Sequence, residues 1–168
     1  MPYAYYRNLT AAQKRIYRAS DAIHHIALPD AEPLRRLAAA LRGRLEAEDR
    51  GGVSRACRDL TTALTAQLEV PPVRVQVRAV RPSHHWGELH GEYDPTATRP
   101  AICLWMRTAK RRQVVAYKTF LRTLLHELCH HLDYTLLGLE DSFHTEGFFK
   151  REASLYRQLA GPLPAGRP

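Results

Sequence analysis

Residues 112–138 read RQVVAYKTFLRTLLHELCHHLDYTLLG. Leu121, Leu124, Leu128 and Leu132 recur at helical spacing, and Leu125 and Leu136 widen the stripe. A helix apolar over that much of its circumference is buried. One long helix is therefore expected over about 112–137, stopped by Gly138. Within it lies His126-Glu127-Leu128-Cys129-His130, an HExxH pattern. The two histidines sit one turn apart on one face. Both imidazoles can then reach one metal ion at about 2.0–2.1 Å. Glu127 projects beside that face, where it can take a proton from a water polarised by the metal. Buried histidines and a carboxylate without partners are costly, which favours a metal over idle polar groups.

A catalytic zinc takes three protein ligands and keeps one position open. The downstream candidates are His131, Asp133, Glu140, His144, Glu146 and Glu152. Asp133 is about 10 Å along the helix from His126, too far for both to share an ion with His130. It reads as a carboxylate supporting a ligand or an ion pair. His131 points about 100° away from His130 and reads as a surface or packing residue. His144 lies beyond Gly138 in a segment able to fold back, just before a last helix over 146–159. It is the preferred third ligand, with Glu146 and Glu152 as alternatives. Metzincin spacing fails, because its Gly and His positions hold Asp133 and Leu136. Tyr93, Tyr134, Tyr156 and His90 are candidate oxyanion donors, and no spacing selects among them.

Working outward from the motif, strands precede the helix. Val73, Val75 and Val77 alternate with Arg74, Gln76 and Arg78, the period of a half-buried strand. WGELHGEY (86–93) and AICLWM (101–106) suggest two more. The last of these is the expected edge along which an extended substrate would align. Residues 1–70 read as helices. Thr10 and Gln13 form a capping-box pattern ahead of a helix to Ile26, with Ile16, Ala19 and Ile23 on one face. Asp30 caps a second helix bearing Leu34, Leu37, Leu41 and Leu45. Gly51-Gly52 breaks the chain before a third helix over 53–68.

The 168 residues are 45% hydrophobic and 25% charged, an ordinary globular composition that excludes disordered and collagenous classes. The net charge of +8 raises nucleic acid as a partner. The surplus is densest over 71–112, with eight Lys+Arg against three Asp+Glu, and vanishes over 113–168, with six of each. Cys57, Cys103 and Cys129 are far apart and make no CxxC pair, so neither a disulfide framework nor a zinc ribbon is expected. No membrane span and no secretory leader are expected, since MPYAYYRNLT carries no apolar run. A reducing cytoplasmic setting follows from the cysteine usage.

HELCHHL (126–132), the loop to His144 and the following Gly147-Phe148-Phe149 together resemble the SprT-like zinc metallopeptidases. GELHGEY (87–93) and AICLW (101–105) extend the resemblance over roughly residues 70–160. It implies zinc held by His126, His130 and His144, Glu127 as catalytic base, and protein or peptide substrates. Some members act on DNA-bound proteins. Many also carry a Cys-rich zinc ribbon, which this sequence lacks. The expected fold is α+β: a minimal zincin-like domain with a small mixed or antiparallel sheet of about three strands. Residues 1–70 are expected to form a helical region packed on a core of 71–160, and 161–168 a frayed tail. The runner-up function is a basic nucleic-acid-binding protein with a structural or vestigial zinc site.

Overall fold

The computed structural model describes residues 2–161. Beyond Gly161, the expected frayed tail lies outside the described residues. A short 3₁₀ turn (Ala4–Asn8) leads into α1 (Ala11–Asp21), α2 (Ala31–Glu46) and α3 (Arg50–Gln67). Five short strands follow: β1 (Arg74–Val80), β2 (Ser83–His84), β3 (Gly87–Glu88), β4 (Gly91–Asp94) and β5 (Ala101–Arg107). The chain then forms α4 (Tyr117–Thr135) and α5 (Glu146–Ala160). The fold is thus α+β, with five α-helices and a small mixed sheet among the described residues. The sheet has the order β1-β5-β4, with β1 parallel and β4 antiparallel to β5. β2 and β3 pair as a separate ribbon.

Local chemistry explains the element starts. Thr10 and Gln13 close a reciprocal capping box at α1. Asp30 accepts the Glu32 amide at α2, Asp49 the Gly52 amide at α3, and Thr145 the Phe148 amide at α5. β1 buries Val75 and Val77 and exposes Arg74, Gln76 and Arg78. A single apolar cluster joins Leu34 and Leu41 of α2, Leu60 and Leu64 of α3, Ile102 and Leu104 of β5, Leu124 and Leu128 of α4, and Leu155 of α5. The HExxH helix is therefore pinned along its leucine stripe, which fixes the face its histidines present.

Five sequence expectations change. α1 stops at Asp21, and its buried side chains are Tyr17 and Ser20, not the Ile16–Ala19–Ile23 face. Ser20 meets a buried guanidinium (described below), and Tyr17 packs among the rings of Tyr5, Tyr6 and Phe143. The glycine pair does not break the chain: Gly51 and Gly52 form the first turn of α3. α4 starts at Tyr117 because Val114 bridges Arg107 and the Val115 amide donates to the Met106 carbonyl, so the β-branched pair extends the sheet. β5 is the central strand, so the free edge beside α4 belongs to β4. The stretch 86–93 supplies β3 and β4 separately. Among the described residues, no helix is long and apolar enough to cross a membrane.

Candidate metal centre

α4 holds His126 and His130 one turn apart, and the loop after it returns His144 to them. Nε2 of His144 lies 3.0 Å from Nε2 of His126 and 3.0 Å from Nε2 of His130. Nitrogens bound tetrahedrally at 2.0–2.1 Å from a zinc ion lie about 3.3 Å apart. The trio is thus within a few tenths of an ångström of a ligand cluster, and it can hold a metal ion.

The second nitrogen of each α4 histidine is occupied, which frees Nε2 for a metal. Nδ1 of His126 donates to Glu152 Oε2 at 3.1 Å, and Arg122 Nε donates to Glu152 Oε1 at 3.2 Å. The Ser142 hydroxyl donates to Asp133 Oδ2 at 2.7 Å, so its oxygen accepts Nδ1–H of His130, also at 2.7 Å. Burial first, then the neighbouring His126 and His144, pushes His130 down to about 3; burial likewise lowers His144. Both stay neutral near pH 7, the form a metal requires.

A buried network underlies this layer. Arg151 Nη2 donates to Asp133 Oδ1 at 2.9 Å, and both side chains are fully buried. Arg151 also donates to the carbonyls of Ser20 at 2.5 Å and Ile23 at 2.6 Å, and to Ser20 Oγ at 2.9 Å. Burial pushes the Asp133 carboxyl up, against the pull of Arg151 and the Ser142 hydroxyl.

Glu127 is buried beside the trio. Desolvation pushes its carboxyl up to about 7, His126 draws it down, and Glu92 and Glu152 push it further up. It lines an open cleft of about 480 Å³ together with His90, Gly91, Arg122, His126 and Glu152. Gly91, at the start of β4, touches it closely. A Cβ added there would meet Glu127 Oε1 at 2.7 Å and Thr123 Cγ2 at 2.8 Å.

The remaining candidates fall elsewhere. Glu152 supports His126 and is not part of the trio. Glu146 heads α5 and pairs with Lys150. Glu140 is exposed outside the cluster. His131 is fully buried, bonded to the Pro71 carbonyl at 2.7 Å and the Tyr93 hydroxyl at 3.1 Å. That engages Tyr93, while Tyr156 lies under the Arg122 guanidinium. Of the four oxyanion candidates, His90 lines the cleft. Ser142, Arg122 and Arg151 were not anticipated. Arg151 carried a signal: it follows Phe148 by three residues and precedes Leu155 by four, a charged group within the apolar stripe of α5.

The outer carboxylate gives a direct test. Glu152→Gln is expected to weaken metal binding by about 10–100-fold, because an amide holds the His126 tautomer less firmly. Competition against a chromophoric chelator reads the change. Comparison of the chain with family models, curated proteins and solved structures returns no match.

Proposed function

We propose that the chain is a zinc metallopeptidase of zincin-like type, in keeping with the SprT-like resemblance of its motif. The observation that carries this reading is the convergence of three imidazole Nε2 atoms next to a buried carboxylate on an open cleft. Neutral imidazoles suit zinc, and His126, His130 and His144 would hold it. When bound, the ion supplies Lewis acidity that makes a water nucleophilic near neutral pH and polarises a carbonyl.

The chain's own residues do the rest. Glu127 accepts the water proton on a carboxylate oxygen and passes it to the leaving amine. His90 lines the same cleft and is the candidate donor to the oxygen on which charge develops. The outer edge of β4 pairs with no strand among the described residues. An extended peptide can add to it through main-chain hydrogen bonds and pass Gly91 and Glu127. Substrates are therefore unstructured or locally unfolded segments of proteins. The test is zinc stoichiometry after metal loading, measured alongside cleavage of an unfolded protein. A chain that binds no zinc, or binds it and cleaves nothing, sinks the reading.

Gly91 gives this reading a finer probe. Gly91→Ala is expected to push the Glu127 carboxylate aside and slow hydrolysis by about 10²-fold. Zinc affinity should stay unchanged, so steady-state rates and a metal titration together check the assignment.

A second reading, contact with nucleic acid, rests on the β2–β3 ribbon. Trp86 is 63% exposed and stacks on His84 with centroids 4.7 Å apart. The exposed turn Lys110-Arg111-Arg112 lies against the ribbon, since Glu88 accepts the Ala109 and Lys110 amides. An exposed ring beside cations suits a single strand, with bases stacking and phosphates paired. Trp86→Ala is expected to weaken single-stranded DNA binding by about five- to 100-fold. Affinity that ignores both the substitution and the salt concentration removes this reading.

A further inference from the structure

The turn that carries His144 is fastened from the far end of the chain. His144 is the central residue of a three-residue turn, in which the Thr145 amide donates to the Phe143 carbonyl at 2.8 Å. The His144 carbonyl accepts the Tyr5 hydroxyl at 2.7 Å. On one side, the Phe143 ring packs against Tyr17 at 6.2 Å. On the other, α5 begins, and its first amides need acceptors. Thr145 Oγ1 accepts the Phe148 amide, but the Gly147 amide is taken by Asp21 Oδ1 of α1 at 2.9 Å. α1 sits so close that a Cβ on Gly147 would meet the Asp21 carbonyl at 2.5 Å and the Ser20 carbonyl at 2.7 Å.

The three histidines differ in what holds them. His126 and His130 ride on a helix pinned by its leucine stripe. His144 rides on a loop, so ordering that loop is the larger cost of assembling the cluster. A loop ordered in advance makes that cost smaller at the moment of binding.

We propose that Tyr5 and Asp21 are positioning residues of the metal centre, holding the His144 turn so that its Nε2 stays where those of His126 and His130 converge. The proposal rests on the reading of the three histidines as metal ligands. The N-terminal segment then belongs functionally to the site, although its bonds go to the backbone around His144.

The test uses the full chain, stripped of metal and titrated with Zn²⁺ against a chromophoric chelator. Thermal unfolding of the metal-free protein is recorded in parallel. Tyr5→Phe removes one hydroxyl and is expected to raise the zinc Kd about three- to tenfold, the scale of one hydrogen bond. The metal-free Tm should fall by no more than about 2–4 °C. Tyr6→Phe is the control. Tyr6 lies on the same 3₁₀ turn, but its hydroxyl accepts Arg18 Nη1 at 2.8 Å, and its loss should leave Kd unchanged. Asp21→Ala is expected to raise Kd and also to lower Tm, because it removes a cap from α5. An unchanged Kd for Tyr5→Phe overturns the proposal. Equal weakening in Tyr6→Phe overturns it too, since that marks general loosening. A lower Tm with unchanged Kd removes Asp21 from it. If the wild-type chain binds no zinc, the ligand reading falls and takes the proposal with it.

Discussion

Glu127→Gln is expected to bind zinc as the wild-type chain does and to hydrolyse an unfolded protein about 10²–10⁴-fold more slowly. The amide keeps the volume of the carboxylate and its close approach to Gly91. What it loses is the ability to take a proton from water and return it to the amine. None of the bonds that orient the histidines passes through Glu127: His126 leans on Glu152, and His130 leans on Ser142. Metal affinity and hydrolysis should therefore separate. Chelator competition reads the first, and release of acid-soluble peptide reads the second. A variant that holds zinc and cleaves at the wild-type rate would show that another group moves the proton. One that loses zinc would show that the carboxylate helps to hold it.

Arg151→Met is expected to cost about 3–5 kcal/mol, because it strands the Asp133 carboxylate in a fully buried site. For a chain of this size that is a fall in Tm of roughly 10 °C. It also frees the carbonyls of Ser20 and Ile23 from their donor. The deficit should depend on pH with a definite sign. Burial already pushes Asp133 up in the intact pair, and without the guanidinium its folded-state pKa rises further above the unfolded value of about 3.9. A group with a raised folded pKa opposes folding when ionised and stops doing so as pH falls through that pKa. The gap in Tm between wild type and variant should thus narrow from pH 8 towards pH 5. The double variant Asp133→Leu/Arg151→Met should recover much of the stability. It should still bind zinc more weakly, since Ser142 would no longer be held for His130. Calorimetry and metal titration on the same three proteins check all of this.

The parts of the site that follow helical period were legible in the sequence. The spacing of His126 and His130 fixes their common face whatever surrounds the helix, and Gly138 signals that the chain can return. His144 was legible as the preferred donor beyond that break, with Glu146 and Glu152 left open beside it. Pairing across the sheet was not legible. AICLWM reads as a strand with equal ease at an edge or at the centre, and only the long-range parallel partner β1 decides it. The face of α1 misled for a related reason. Apolar periodicity marks Ile16 and Ile23, but the buried pair is Tyr17 and Ser20, because Ser20 meets the guanidinium of Arg151 and Tyr17 packs among the rings of Tyr5, Tyr6 and Phe143. A rule that seeks apolar stripes cannot see a helix docked by hydrogen bonds. Glu152 shows the same limit at short range: its type suited a ligand, and only geometry assigns it to the far side of His126.

The bond from Arg151 to the Ser20 carbonyl spans 131 residues, which has a consequence for synthesis on the ribosome. Translation delivers α1 first, yet its Ser20 and Asp21 meet their partners only once α5 has left the exit tunnel. The HExxH helix emerges in between, with its third histidine still to come. A nascent chain can therefore hold α1, α2 and α3 outside the tunnel while its histidine cluster is still unassembled. If the chain is the peptidase proposed above, it would gain its third ligand, and with it activity, only after α4 and the loop bearing His144 have both been made.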